Sequence, residues 1–149
     1  MEVKKILCAV DLEDTIAPSV EYAKMMASMT GASILVAYVI PAHTPYEDVY
    51  LSVNNQPNEV NNPNETIQKS MNALLAEQFA GMDATGVILV GRPSEELVKL
   101  AEEKGTNLIV MGTHGRAGFD RLLFGSVAHE VVRAAPCPVM TVRPLMPKK

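Results

Sequence analysis

Several glycines and one serine follow an apolar segment at residues 108–111, and their spacing suits an anionic ligand. They are Gly112, Gly115, Gly118 and the pair Gly125-Ser126. Glycine lets a backbone approach a ligand closely and adopt positive φ. A serine that caps a helix brings free N–H groups and the helix dipole to an anion. These residues can therefore cradle phosphates, with Arg116 and Arg121 adding charge; the alternative is that the glycines only form turns and caps.

The common phosphate-binding loops are absent from the sequence. No G-x-x-x-x-G-K-[ST] motif occurs, which excludes a P-loop protein. The first apolar segment runs into Asp11-Leu-Glu-Asp14 without a glycine, so the G-x-G-x-x-G dinucleotide fingerprint fails as well. A phosphate site in this chain must use a different arrangement.

Strand and helix patterns alternate along the chain and supply the elements that position these residues. Apolar segments typical of buried strands occur at residues 5–10, 33–40, 87–90, 108–111 and 138–142. Helical patterns lie between them, from Pro18 to Thr30, from Pro63 towards Gly81, from a cap at Ser94 to Gly105, and from a cap at Ser126 to Pro136. Because every crossover contains a helix, the strands are expected to be parallel, with helices on both faces.

This pattern predicts an α/β fold, a single domain over residues 1–149 built on a doubly wound five-stranded parallel sheet of order 3-2-1-4-5. Ligands of such sheets lie beyond the carboxyl ends of the strands, where strand order reverses. That point falls between strands 1 and 4, beside Asp11 and residues 112–115. Residues 41–64, rich in Asn and Pro, are predicted to form a long loop.

Composition and charge narrow the class of function. The chain has 149 residues, 48% hydrophobic, with a net charge of −4 and no Trp, which argues against nucleic-acid binding. Residues 1–111 carry a net −8 and residues 112–149 a net +4, so an anion suits the last quarter of the chain. No apolar segment is long enough for a signal peptide or a membrane span, which predicts a cytoplasmic protein. Cys8 is expected to be a buried thiol.

Together these residues resemble the universal stress protein family. The pattern Gly112-x2-Gly115-x9-Gly125-Ser126 is similar to the ATP-binding signature of that family. The resemblance covers the whole chain and includes Tyr38-Val39-Ile40, Gly91-x-Pro93 and Pro136-Cys-Pro-Val139. The chain departs from the family pattern at Ala9, where many relatives have Pro, and at Leu12-Glu13, where Gly-Ser is common.

The resemblance implies a bound ATP and a role for each matching residue. Ala9, Val10 and Asp11 border the nucleoside, and Val39 offers main-chain bonds to adenine. Met111 and Gly112 lie against the ribose. The phosphates are held by Gly115, Gly125, Ser126 and Val127.

The sequence favours a regulatory ATP-binding protein over an efficient enzyme. His114 lies in the glycine-rich segment without an evident acid partner, His129 is expected on the surface of the last helix, and His43 lies in the long loop. Paired catalytic carboxylates and a G-x-S-x-G motif are absent from the sequence. Asp11 is a single carboxylate, so Mg²⁺ beside the phosphates is left open, and no metal ligands of the protein are assigned. Slow ATP hydrolysis or autophosphorylation, at Ser126 or Thr113, is one alternative. A ligand-independent interaction module is the other.

A second expected partner is another copy of the chain. Residues 138–143 form the last strand, which the predicted order places at a sheet edge, and it carries no charge before Arg143. An apolar edge of this kind tends to pair with another chain. The prediction is an antiparallel homodimer through this edge, without nucleic-acid or membrane partners; the alternative is that the tail after Arg143 covers the edge.

Overall fold

The computed structural model describes residues 2–12, 17–42, 63–113 and 125–143. Within these ranges five β-strands alternate with four α-helices. The strands are β1 (Lys5–Ala9), β2 (Ser33–Pro41), β3 (Ala84–Gly91), β4 (Leu108–Gly112) and β5 (Val139–Val142). The helices are α1 (Pro18–Thr30), α2 (Pro63–Gln78), α3 (Pro93–Lys104) and α4 (Ser126–Ala134).

The strands form one parallel sheet in the order β3-β2-β1-β4-β5. Cys8 at the centre of the sheet pairs with Val36 on β2 and with Val110 on β4. The predicted fold class is confirmed, and strand order reverses between β1 and β4. This reversal defines the edge of the sheet at which a ligand is expected.

Helices cover both faces of the sheet, which explains why its central strands are apolar without interruption. Ile6 and Cys8 face the layer that contains α1 and α2, whereas Leu7 faces the layer that contains α3 and α4. All three side chains are fully buried. A strand buried on both sides needs apolar residues at every position, unlike the alternating pattern of a half-exposed strand.

The helices present their apolar stripes to these two layers as predicted. In the first layer the buried helical residues are Val20, Ala23 and Ala27 of α1 and Ile67, Met71 and Leu74 of α2. In the second they are Leu97, Leu100 and Ala101 of α3 and Ala128 and Val131 of α4. Gly31 and Gly105 end α1 and α3 in the left-handed conformation, with φ of 75° and 63°, which favours glycine. None of the helices in the described ranges is long and apolar enough to cross a membrane.

Three predicted boundaries were wrong. β3 begins at Ala84 rather than at residue 87, because its pairing with β2 runs from Ile34 opposite Ala84 to the end of both strands. Ser94 does not cap α3: Pro93 is already helical, and Arg92 occupies the cap position without a side-chain cap hydrogen bond.

The third error concerns α4. Ser126 is its first helical residue, and Gly125 is its cap.

The long loop predicted for residues 41–64 falls mainly outside the described residues, although α2 already begins at Pro63.

Candidate functional site

The candidate site lies where β1 and β4 end side by side. Past the last residue of β1, the N–H of Val10 still donates to the carbonyl of Ala37 at 2.9 Å. Asp11 follows at the edge of the sheet and is partly exposed. The carboxylate of Asp11 thus belongs to the segment that leaves the sheet at the strand reversal.

Backbone hydrogen bonds attach the start of α4 to the end of β4. The N–H of Thr113 donates to the carbonyl of Val142 at 3.1 Å, which extends the pairing with β5. The carbonyl of Thr113 in turn accepts from the N–H of Gly125 at 2.6 Å. Thr113 and Gly125 are therefore in direct contact, and the N-terminus of α4 lies at the carboxyl edge of the sheet.

The first turn of α4 presents its backbone donors without a side-chain cap. Gly125 has φ −66° and ψ 160°, an extended conformation that any residue adopts. Its carbonyl accepts the first helical bond from His129 at 3.1 Å. No described residue accepts from the amides of Ser126, Val127 or Ala128, and the first turn contains no acidic residue. Free amides at the positive end of a helix dipole favour an anion.

Apolar residues from four elements meet beneath this edge. Ala9, Val39, Met111 and Val127 all belong to the layer between the sheet and the pair α3 and α4. Val39 and Met111 are buried, whereas Ala9 and Val127 are half-buried. Four of the residues named from the sequence are therefore packed in one cluster. Val10 instead packs in the layer on the opposite face of the sheet, which contains α1 and α2.

The remaining predicted residues fall into two groups. Gly112 ends β4 opposite Val142, and Gly125 and Ser126 open α4, so these three lie at the same edge of the sheet. The second group lies outside the part of the chain that the structure describes and consists of Gly115, Arg116, His114, Gly118, Arg121 and His43. His129 lies on the exposed surface of α4, as expected. The described ranges contain no group of three or more side chains that could bind a metal ion.

A polar cluster beside the first turn of α4 was not predicted from the sequence. The hydroxyl of Ser94, which is buried, donates to the carboxylate of Glu130 in α4. Arg92 also contacts this carboxylate, with Nη2 at 3.0 Å from Oε1, and it contacts Glu95 at 3.4 Å. The only sequence signal for this cluster is Gly91-x-Pro93, which places Arg92 and Ser94 at the start of α3.

The hydroxyl of Ser94 is the main reason that the pKa of Glu130 lies below its ordinary value, and the positive charge of Arg92 contributes as well. The carboxylate is therefore ionised at neutral pH. It lies at the N-terminus of α3, where the helix dipole favours a negative charge. Glu130 thus joins α4 to the start of α3 through the hydroxyl of Ser94 and the guanidinium of Arg92.

These features define an α/β protein of the doubly wound class, with an anion-accepting helix end at its strand reversal. The universal stress protein family model matches residues 2–143. The chain therefore belongs to the universal stress protein family.

Relatives match the chain over most of its length. It is 33% identical over 150 residues to the universal stress protein MJ0531 of Methanocaldococcus jannaschii, which covers 98% of this chain and 84% of the relative. It is 32% identical over 148 residues to a universal stress protein of Thermus aquaticus, covering 94% and 98% of the two chains.

Solved structures share the fold. The structure of the hypothetical protein MJ0577 has a TM-score of 0.78 and 27% identity, and the match covers 99% of this chain and 100% of that one. A universal stress protein in complex with cAMP has a TM-score of 0.69 at 22% identity, covering 95% and 98% of the two chains. One from Archaeoglobus fulgidus in complex with dAMP has a TM-score of 0.59 at 24% identity, with the same coverage. The likeness to the last two proteins shows the fold alone.

Proposed function

We propose that the chain is an ATP-binding regulatory protein of the stress response. The nucleotide lies at the carboxyl ends of β1 and β4, with its phosphates on the glycine-rich segment and the N-terminus of α4. The observation that carries the proposal is the hydrogen bond from Gly125 to Thr113. It holds the uncapped first turn of α4 at the strand reversal, where doubly wound proteins bind ligands.

The proposal assigns the adenosine part of ATP to the β1 and β2 side of the site. Ala9, Val10 and Asp11 border the nucleoside, and the main chain of Val39 bonds to adenine. Because Val39 is buried, its side chain has little surface for a ligand, which favours a main-chain role. Asp11 offers a carboxylate for a hydrogen bond to the nucleoside.

The ribose and phosphates are assigned to the β4 and α4 side. Met111 and Gly112 lie against the ribose, and Gly115, Gly125, Ser126 and Val127 hold the phosphates through backbone donors. Arg116 adds positive charge. The positions of Gly112 and of the first turn of α4 in the structure support this assignment. The roles of Gly115 and Arg116 are inferred from the sequence pattern. Mg²⁺ accompanies ATP in this proposal, bound by phosphate oxygens and not by a protein cage.

Membership of the family supports an adenine nucleotide as the ligand. The universal stress protein structures with cAMP and with dAMP hold ligands that share adenine and a phosphate with ATP. The choice of ATP rests on the spacing Gly112-x2-Gly115-x9-Gly125-Ser126, which offers donors to more than one phosphate.

The proposed role is regulation in the cytoplasm by one nucleotide-binding domain spanning residues 1–149. The domain pairs with a second copy through strand 138–143, and neither nucleic acid nor membrane is a partner. The order of the sheet supports the dimer, because β5 is its edge strand. No catalytic residue is assigned.

The nucleotide carried by the purified protein tests this function. Denaturing the protein and separating the released nucleotides by chromatography should give ATP. Incubation of the native protein with added ATP should leave it intact over hours. Steady formation of ADP or of phosphorylated protein would favour the slow enzyme, and absence of any nucleotide or binding would favour the ligand-independent module.

A further inference from the structure

The polar cluster of Arg92, Ser94 and Glu130 joins α3 to α4, the helix whose first turn lies at the proposed site. Arg92 and Ser94 belong to the start of α3, and Glu130 belongs to α4. Ser94 is 4% exposed, so its hydroxyl has little access to water and depends on the carboxylate. A hydrogen bond from a buried hydroxyl to an ionised carboxylate is stronger than one between neutral groups. The contact with Arg92 is more exposed and contributes less.

The position of Glu130 along α4 relates this cluster to the first turn. Glu130 follows Ser126 by one helical turn, about 6 Å along the axis. The N-terminal half of α4 thus has two polar attachments. The Gly125 amide is bonded to Thr113 at its start, and the Glu130 carboxylate is bonded to Ser94 one turn later. The apolar packing of Ala128 and Val131 holds α4 on the sheet, and the bond to Glu130 adds a polar restraint on its tilt.

We infer that Glu130 is a positioning residue for nucleotide phosphates, acting through the first turn of α4. By binding Ser94 and Arg92, it fixes where the amides of Ser126 and Val127 point relative to the end of β4. This inference rests on the proposed function, because it requires phosphates at these amides. Such contacts need donors placed within about 0.5 Å, so a small tilt of α4 weakens them.

The inference predicts a loss that depends on the phosphates of the ligand. Removing the carboxylate leaves Ala128 and Val131 packed in the apolar layer, so α4 remains on the sheet while its first turn loses one attachment. ATP, which uses the amides, should bind less tightly. Adenosine, which lacks phosphates, should bind as before. A general loosening of the fold would instead weaken both ligands.

The test is calorimetry with ATP and with adenosine on the wild type and on Glu130→Ala, Ser94→Ala and the double variant. We expect the Kd for ATP to rise about tenfold in Glu130→Ala and by less in Ser94→Ala, with the double variant close to Glu130→Ala because the two side chains share one interaction. The Kd for adenosine should stay within about twofold. Glu95→Gln is the matched control, since Glu95 lies in α3 and contacts the same Arg92, whereas the hydroxyl of Ser94 donates to Glu130. This variant should bind both ligands as the wild type does.

The outcomes separate this inference from the proposed function. ATP affinity within about twofold of wild type in Glu130→Ala, or an equal loss for adenosine, would overturn the inference and leave ATP binding standing. A wild type that binds no ATP would overturn the proposed function and the inference with it. If Glu130→Ala does not fold, Glu130→Gln replaces it. Glutamine keeps an acceptor for Ser94 but loses the charge, so a smaller, phosphate-dependent loss is expected.

Discussion

The amide of Gly125 donates to the carbonyl of Thr113 across 2.6 Å, and this bond joins α4 to the end of β4. Thr113 is itself bonded through its N–H to Val142 of β5. The cap residue of α4 is therefore joined to the end of β4, and through it to β5, by backbone hydrogen bonds. The proposed phosphate site depends on this arrangement.

Replacing Ser126 with Ala should separate binding from stability. Ser126 is exposed, and no side-chain cap hydrogen bond stabilises the start of α4, so the free energy of unfolding should change by less than about 0.5 kcal/mol. If the hydroxyl contacts a phosphate, ATP affinity should fall several-fold. Urea denaturation and calorimetry on the same preparation measure the two quantities. A loss of stability of about 1 kcal/mol or more with unchanged affinity would mean that the hydroxyl caps the helix.

The homodimer should depend on the outward-facing amide of Thr141. The carbonyls of Pro138 and Val142 accept from Ile109 and Thr113, so these residues turn their backbone groups towards β4. Since the direction alternates along a parallel strand, Val139 and Thr141 turn theirs towards the open edge. Proline at position 141 removes an outward N–H and spares the β4 ladder.

Light scattering at tens of micromolar should give a dimer for the wild type and a monomer for Thr141→Pro. The matched control is Thr141→Val, which keeps the amide and should remain dimeric. A monomeric wild type would reject the dimer, and a dimeric Thr141→Pro would place its interface elsewhere.

The carboxylate of Glu130 should make stability depend on pH in the acid range. Its pKa in the folded protein lies below the ordinary value of 4.5, chiefly because Ser94 donates to it. The unfolded state therefore binds a proton more readily, so the contribution is complete above pH 4.5 and is lost as pH falls through the lower, folded pKa. Glu130→Gln should be less stable than wild type at pH 7, and the difference should shrink towards pH 3.

Urea denaturation between pH 7 and pH 3 checks this prediction. Glu95→Gln serves as the control, because Glu95 contacts Arg92 but accepts no bond from Ser94. A difference between wild type and Glu130→Gln that stays constant over this range would show that the ionised carboxylate is not stabilised by the fold.

The Cys8 thiol should be unreactive in the folded protein. It is fully buried, and burial raises its pKa to about 12. Because the thiolate is the reactive form, a thiol reagent at pH 8 should modify Cys8 only when the protein unfolds. The raised pKa also means that stability conferred by the neutral thiol is lost as pH rises above about 9. Mass spectrometry of alkylated native protein should show Cys8 unmodified; rapid labelling at this position would contradict its place in the core.

The sequence predicted secondary structure well where the burial of each residue follows from one simple pattern. The uninterrupted apolar run through Ile6, Leu7 and Cys8 predicted a strand covered on both faces, because such a strand has no exposed side. Helix positions followed from apolar spacing, with Gly31 and Gly105 as C-terminal caps. The start of β3 was not predicted, because Thr85 and Gly86 interrupt the apolar pattern although their backbones pair with β2.

The candidate site was predictable only in part. The spacing of Gly112 and Gly125-Ser126 indicated a shared location, and all three residues lie at one edge of the sheet. The bond between Ser94 and Glu130 was not predictable, because the two residues are 36 positions apart and meet only through the packing of α3 on α4. Ser94 was assigned to a cap because its residue type favours one, but Pro93 already begins the helix. Gly115 and Arg116 stay predictions.

Calorimetric titration of ATP with Mg²⁺ into the wild type and into Gly115→Val tests the central claim most directly. Valine resists positive φ and fills space that the proposal gives to a phosphate. The wild type should bind with a Kd between micromolar and sub-millimolar, roughly −5 to −8 kcal/mol. Gly115→Val should show no binding while keeping a melting temperature close to that of the wild type. Absence of heat and of thermal stabilisation in the wild type, or wild-type affinity in Gly115→Val, would contradict ATP binding at this site.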